Sequence, residues 1–287
     1  MGLRDAIVNS CETNLINAMT SFDTMAQQAS DVLTGGIDGT LWSTAVNWSN
    51  AFKPFCNIII GICILLELAK VASKVDMMKW EHGLRAGCKL CLAKVCIEVA
   101  PTFLHAVYNQ VSIFITYLSG SGSSVSLAST VTPYISTACS MVTDLGGAIG
   151  LLCSTMILNM GIKICGLLLL VMSYGRVFEI LIYLMISPIP VAFACYTGGG
   201  DGIARITMKF FKGFMAVCLS GLMMYCCIRL FGSIVTVKFV ELVNASVGSA
   251  TGAALVTDLS YDMILFTIVL VMAVAKCGGW AKQIMDA

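Results

Sequence analysis

The stretch 174–212, YGRVFEILIYLMISPIPVAFACYTGGGDGIARITMKFFK, constrains this chain more than any other part of it. It is apolar enough to sit in lipid, yet Ser187-Pro188-Ile189-Pro190 interrupts its middle. Proline has no backbone N–H and its ring clashes with the preceding turn, so two in one apolar run end a helix there. Hydrocarbon offers no water to the freed carbonyls. Such a break is therefore tolerated only where protein buries it or where it lines a water-filled path. A Gly198-Gly199-Gly200 turn and a basic patch of Arg205, Lys209 and Lys212 follow. Conduits and transporters are built this way more often than plain anchors.

The rest of the chain has the same character. Of 287 residues, 58% are hydrophobic and 11% charged, where soluble domains carry about 25% charged. A net charge of +1 removes any global attraction to a polyanion. These numbers predict an all-α, polytopic integral membrane helical bundle. A spanning helix needs about 20 apolar residues, which gives five spans at 52–69, 95–118, 147–173, 213–235 and 263–276, plus one broken or re-entrant segment at 177–196. The first span is followed by Lys70, Lys74, Lys79, Arg85, Lys89 and Lys94 against Asp76 and Glu81. Basic residues beside a span mark the cytoplasmic side, so the loop 70–94 is expected inside and the N-terminus outside. The topology then forks. Full crossing of 177–196 leaves Arg205, Lys209, Lys212, Lys276 and Lys282 outside, whereas re-entrance keeps all five inside and is favoured. Residues 1–50 lack the apolar core of a cleavable signal. They read as an extracytoplasmic arm before a bundle over 51–287. Within the arm, Leu3, Ile7, Cys11, Leu15, Ala18, Phe22, Met25, Ala29 and Leu33 recur at helical spacing. Such a helix packs on the bundle or the headgroups, or reaches a partner.

Fourteen cysteines suggest redox or metal chemistry, but most fall inside predicted spans, where cysteine behaves as a small hydrophobe. Cys88, Cys91 and Cys96 with His82 lack the second ligand pair of a zinc site. No phosphate-binding, dinucleotide or hydrolase motif occurs. The expectation is therefore a non-enzyme with no catalytic residue, metal or cofactor. What remains is polarity inside the membrane, which is costly and faces protein or water. Glu98, Thr102, His105 and Asn109 form one stripe at i, i+4, i+7 and i+11. Lys163 lies mid-span, Arg229 late in the next full span, and Glu179 starts the broken segment. These groups either pair between helices, for example Glu98 with Lys163 or Arg176 with Glu179, or line a hydrated path. Arg205, Lys209 and Lys212 are candidates for cytoplasmic docking. The basic loop suits anionic lipid, an ATPase partner, or less readily nucleic acid.

Two stretches carry a family resemblance: WEHGLRAGCKLCLAKVCIEVAPTFLHAVYN at 80–109, and GRVFEILIYLMISPIPVAFACYTGGGDGIARITMKFFKGFMAVCLSG at 175–221. Their order of aromatic-rich helix, Ser-Pro-Ile-Pro break, small-residue turn and basic amphipathic stretch resembles the TrbL-type inner-membrane component of type IV secretion and conjugation systems. The resemblance extends over most of 50–280. It implies a homo-oligomeric ring in the bacterial cytoplasmic membrane, beside secretion ATPases and other conjugation-channel subunits. It further implies a route or platform for single-stranded DNA bound to a relaxase, or for protein substrates. Two other readings stay open, a secondary transporter of a small solute and a purely structural scaffold. No inverted repeat supports the transporter, since Pro101 is the nearest counterpart to the break and stands alone.

Overall fold

A backbone in lipid must close its own hydrogen bonds, and an apolar run does so as a helix. In the computed structural model, the described residues are 3–35, 39–73, 80–121, 127–140, 145–193, 201–246 and 252–286. They hold eight helices: α1 (Leu3–Thr34), α2 (Gly39–Ser73), α3 (Trp80–Ser121), α4 (Leu127–Ser140), α5 (Leu145–Ile186), α6 (Pro188–Phe193), α7 (Asp201–Ser246) and α8 (Gly252–Asp286). Five carry stretches long and apolar enough to cross a membrane: Gly39–Leu66, Leu90–Leu118, Ala148–Ile186, Ile206–Lys238 and Ile264–Asp286. The fold is all-α and the protein a multi-pass membrane protein. Its helices turn large apolar side chains outward, as soluble proteins rarely do over a contiguous surface. On α5, Met156, Ile157, Met160, Ile164, Leu167 and Val171 are each more than half exposed.

Three boundaries differ from those expected. The first spanning helix begins at Gly39 rather than 52. The polar stretch before the apolar run is also helical, with Ser43 and Thr44 donating their hydroxyls back to the Thr40 carbonyl at 2.8 and 2.9 Å. Next, α3 begins at Trp80 rather than 95 and runs unbroken through Pro101, as the expected span did. A lone proline costs a helix about 3 kcal/mol, and buried Ile97, Ala100 and Leu104 hold the helix on both sides of it. The third difference is the largest. The expected span 147–173 and the first half of 177–196 are one helix, α5, of 42 residues. Nothing at 173–176 stops it. Ser173 donates back to Leu169 O at 3.1 Å, and Arg176 pairs with Glu179 one turn on at 2.8 Å, within α5 rather than between helices as expected.

The chain forms two compact units, and α3, α5, α7 and α8 contribute to both. Unit 1 comprises Met1–Thr34, Ile115–Gly175 and Gly221–Gly278. Here α1 buries the stripe read from its spacing: Cys11, Leu15, Ala18, Phe22, Ala29 and Leu33 are at most 5% exposed. It packs on α4, and the Asp23 carboxylate accepts the Ala128 N–H at 2.8 Å. That N–H is one of the orphan donors at a helix start. The Phe22 and Phe231 rings meet at 5.5 Å. At Gly166 a Cβ would come 2.5 Å from Met25 Sδ, so α1 and α5 approach closely there. Cys11 and Cys139 are both buried. Burial first, then the Glu12 carboxylate and Cys11, push the Cys139 thiol up to about 12.

Unit 2 comprises Gly35–Phe114, Arg176–Ser220 and Gly279–Ala287. In it α2 and α3 run antiparallel, since Trp42 meets His105 while Lys53, further along α2, meets Glu98. The end of α5 and the start of α7 are likewise antiparallel. Ile180, Leu181 and Leu184 pack with Phe214, Val217 and Cys218, in one cluster with Ala45, Leu104 and Tyr108. The chain therefore reverses direction after the Ser-Pro-Ile-Pro break.

Candidate functional site

The break lies in the interior of unit 2. Ser187, Pro188, Pro190, Val191 and Ala192 are buried. An unbroken helix would give the Leu184 carbonyl the N–H of residue 188, four residues on. Proline has none, and the neighbouring Ser187 hydroxyl takes that carbonyl instead at 2.8 Å. The one-turn helix α6 follows, Pro188–Phe193, and Thr207 of α7 donates its hydroxyl to Pro190 O at 2.7 Å. The Leu184 and Pro190 carbonyls at the break thus each accept from a side-chain hydroxyl, as irregular backbone buried within a membrane protein requires.

Small residues let α6 approach the α2–α3 hairpin. Cys56, Ile60, Ala93, Ile97 and Ala100 form one buried cluster with Val191 and Ala192. Cys56, Ala93 and Ala192 are fully buried. Close backbone approach through small side chains is how helices associate where lipid removes the hydrophobic drive between them.

The polar stripe of α3 divides. Glu98 pairs with Lys53 of α2, not with Lys163. Lys163 belongs to unit 1, where it is exposed and makes no hydrogen bond or ion pair among the described residues. His105 stacks on Trp42 with ring centroids 4.0 Å apart and planes at 25°. Thr102 and Asn109, with the adjacent Gln110, are exposed. Between them the core face of α3 alternates as Ala100, Pro101, Leu104 and Tyr108, all buried. The stripe is thus a flank of the helix, half of it occupied by α2 and half of it open.

The remaining predicted residues are dispersed. Arg229 is in unit 1, where its Nε donates to Tyr225 Oη at 2.9 Å and its guanidinium lies 5.5 Å from that ring's centroid. Lys209 and Lys212 are exposed at the start of α7. The side chain of Arg205 and the Gly198-Gly199-Gly200 turn lie outside the described residues, as do the side chains of Lys70, Lys74, Lys79, Arg85 and Lys89. The structure therefore brings together Glu98, His105, Pro188 and Pro190 in unit 2, with Lys209 and Lys212 on the helix that carries Thr207. It does not bring Lys163 or Arg229 into that unit. Lys53, Trp42 and Thr207 belong to the site and were not singled out for it. Lys53 carries the only signal a sequence could offer, a cation inside an apolar helix.

A family model described as TrbL/VirB6 plasmid conjugal transfer like protein matches residues 23–188, more than half of the chain. The chain belongs to this family. No curated protein and no solved structure matches it. The matched region runs from the middle of α1 to Pro188, and so contains the α2–α3 hairpin with its polar stripe and ends at the break. The quoted stretch 80–109 lies inside it, whereas most of 175–221 lies beyond. As a TrbL/VirB6-like protein with five helices able to span, the molecule is a multi-pass cell-membrane component of a conjugal transfer system.

Proposed function

We propose that this TrbL/VirB6-like chain is a channel or scaffold subunit of a conjugative type IV secretion system. In this reading several copies assemble in the cytoplasmic membrane and help single-stranded DNA–relaxase or protein substrates across. Family membership carries the reading. The buried break supports it, because a helix interrupted inside a protein interior and met by hydroxyls is a conduit's device rather than an anchor's. The open half of the α3 stripe, Thr102, Asn109 and Gln110, is the candidate hydrated wall, and the Lys53–Glu98 pair is a seam between α2 and α3. In this reading no residue has a catalytic role.

The reversal of the chain after the break supports the sidedness of the second topology, although α5, one helix through 173–176, leaves no separate re-entrant segment. Arg205, Lys209 and Lys212 fall in the first turns of α7, an end that positive-inside bias puts in the cytoplasm. There they are the proposed docking patch for secretion ATPases and other transfer subunits, with lipid headgroups as the further partner. The N-terminus is then outside and the C-terminus inside.

A mating assay tests this. An in-frame deletion of the gene is expected to abolish DNA transfer, the intact gene to restore it, and a Pro188→Ala/Pro190→Ala version, inserted normally in the membrane, to fail. Unchanged transfer in the deletion strain would remove the reading.

A further inference from the structure

Two thiols of unit 1 touch across different helices. Cys227 Sγ of α7 and Cys277 Sγ of α8 are 3.7 Å apart, although 50 residues separate them in sequence. Both lie within stretches able to span the membrane. Cys277 is fully buried, and its thiol bonds the Ala273 carbonyl one turn back at 3.2 Å, which fixes its rotamer. Cys227 is half-buried, so the pair has one side that a small reagent can reach. A disulfide needs its sulfurs at about 2.05 Å. The closure required is therefore roughly 1.7 Å, the difference between 3.7 and about 2.0.

We infer that Cys227 and Cys277 are an oxidisable dithiol, a modification site that closes to a disulfide and ties α7 to α8. The oxidant must be a small two-electron acceptor that partitions into membranes, such as a quinone or an azodicarboxamide. Two S–H bonds break and one S–S bond forms. The two electrons and two protons pass to the oxidant, a quinone becoming a quinol or an azo N=N becoming a hydrazine. Reaction proceeds through a thiolate attacking the activated partner sulfur, and half-buried Cys227, the one within reach of the reagent, is the sulfur first modified. Buried Cys277 is then the resolving thiol. The neighbour of Cys227 in sequence, Cys226, points elsewhere around α7, because successive helical positions are about 100° apart. Joining two positions so far apart in the chain restricts the unfolded state, so oxidation raises the unfolding temperature and a reductant reverses the rise.

The experiment treats the full chain in membrane vesicles with diamide, a permeable azodicarboxamide, then blocks free thiols and maps tryptic peptides without reductant. The expected product joins peptide 277–282 to peptide 213–229 with the loss of two hydrogens. It disappears in Cys227→Ser, persists in Cys226→Ser, and is lost on reduction. Peptide 277–282 recovered unlinked, while exposed Cys88 or Cys91 is oxidised in the same sample, would overturn the inference. So would a linked product that survives Cys227→Ser. The readout is chemical, so a null result in mating leaves it untouched.

Discussion

At Thr207 a single hydroxyl ties α7 to the break. It donates to Pro190 O at 2.7 Å. Leaving a buried acceptor unmet costs about 1–3 kcal/mol. Thr207→Val, matched in shape, is expected to lower the unfolding midpoint in thermal denaturation of the detergent-solubilised protein, and Thr207→Ser to restore most of it. Equal midpoints for the wild type and the valine variant would show that the hydrogen bond does not stabilise the fold. The sequence made the break legible, because two prolines in an apolar run have one physical consequence. It did not make Thr207 legible, because a threonine near a helix start carries no sign of which carbonyl it will meet. The partner of Glu98 was hidden for the same reason. Lys53 and Lys163 are both cations in apolar helices, and only the neighbourhood of α2 and α3 selects between them.

Among the elements, α5 departed furthest from expectation. Hydropathy places boundaries where polarity rises, and Ser173-Tyr174-Gly175-Arg176 raises it without supplying a helix stop. One glycine costs a helix interior about 0.5–1 kcal/mol relative to alanine, too little to end a run so long. At Gly175 an added Cβ meets nothing within 4 Å. Gly175→Ala is therefore expected to raise the unfolding midpoint slightly. Gly213 is the contrast. There a Cβ would stand 2.7 Å from Tyr183 Oη, and the ring is held between Phe210 and Phe214, with centroids at 5.2 and 6.0 Å. Overpacking of this kind costs about 1–3 kcal/mol, so Gly213→Ala should lower the midpoint. Thermal denaturation of the two variants side by side checks both signs, and the reverse order would mean that α5 does not run straight through Gly175. By contrast, α1 was legible as a helix, with its buried stripe, because a 3.6-residue period needs no partner to be visible.

For the whole molecule the prediction concerns orientation. A green fluorescent protein fused after residue 287 is expected to fluoresce, and an alkaline phosphatase fused after residue 246 to be active, since they fold or work on opposite sides of the membrane. The reverse pattern would invert the topology and move Lys209 and Lys212 outside. Composition, the apolar runs and the double proline determined by themselves that this is a polytopic helical membrane protein with one broken segment. Lipid leaves a backbone no other way to close its hydrogen bonds. The tertiary structure decided which charges and hydroxyls meet, that two expected segments are one α5, and that Cys227 faces Cys277. Each depends on how a helix is rotated and which neighbour it finds. Those choices are made between helices, where the period of any one of them is silent.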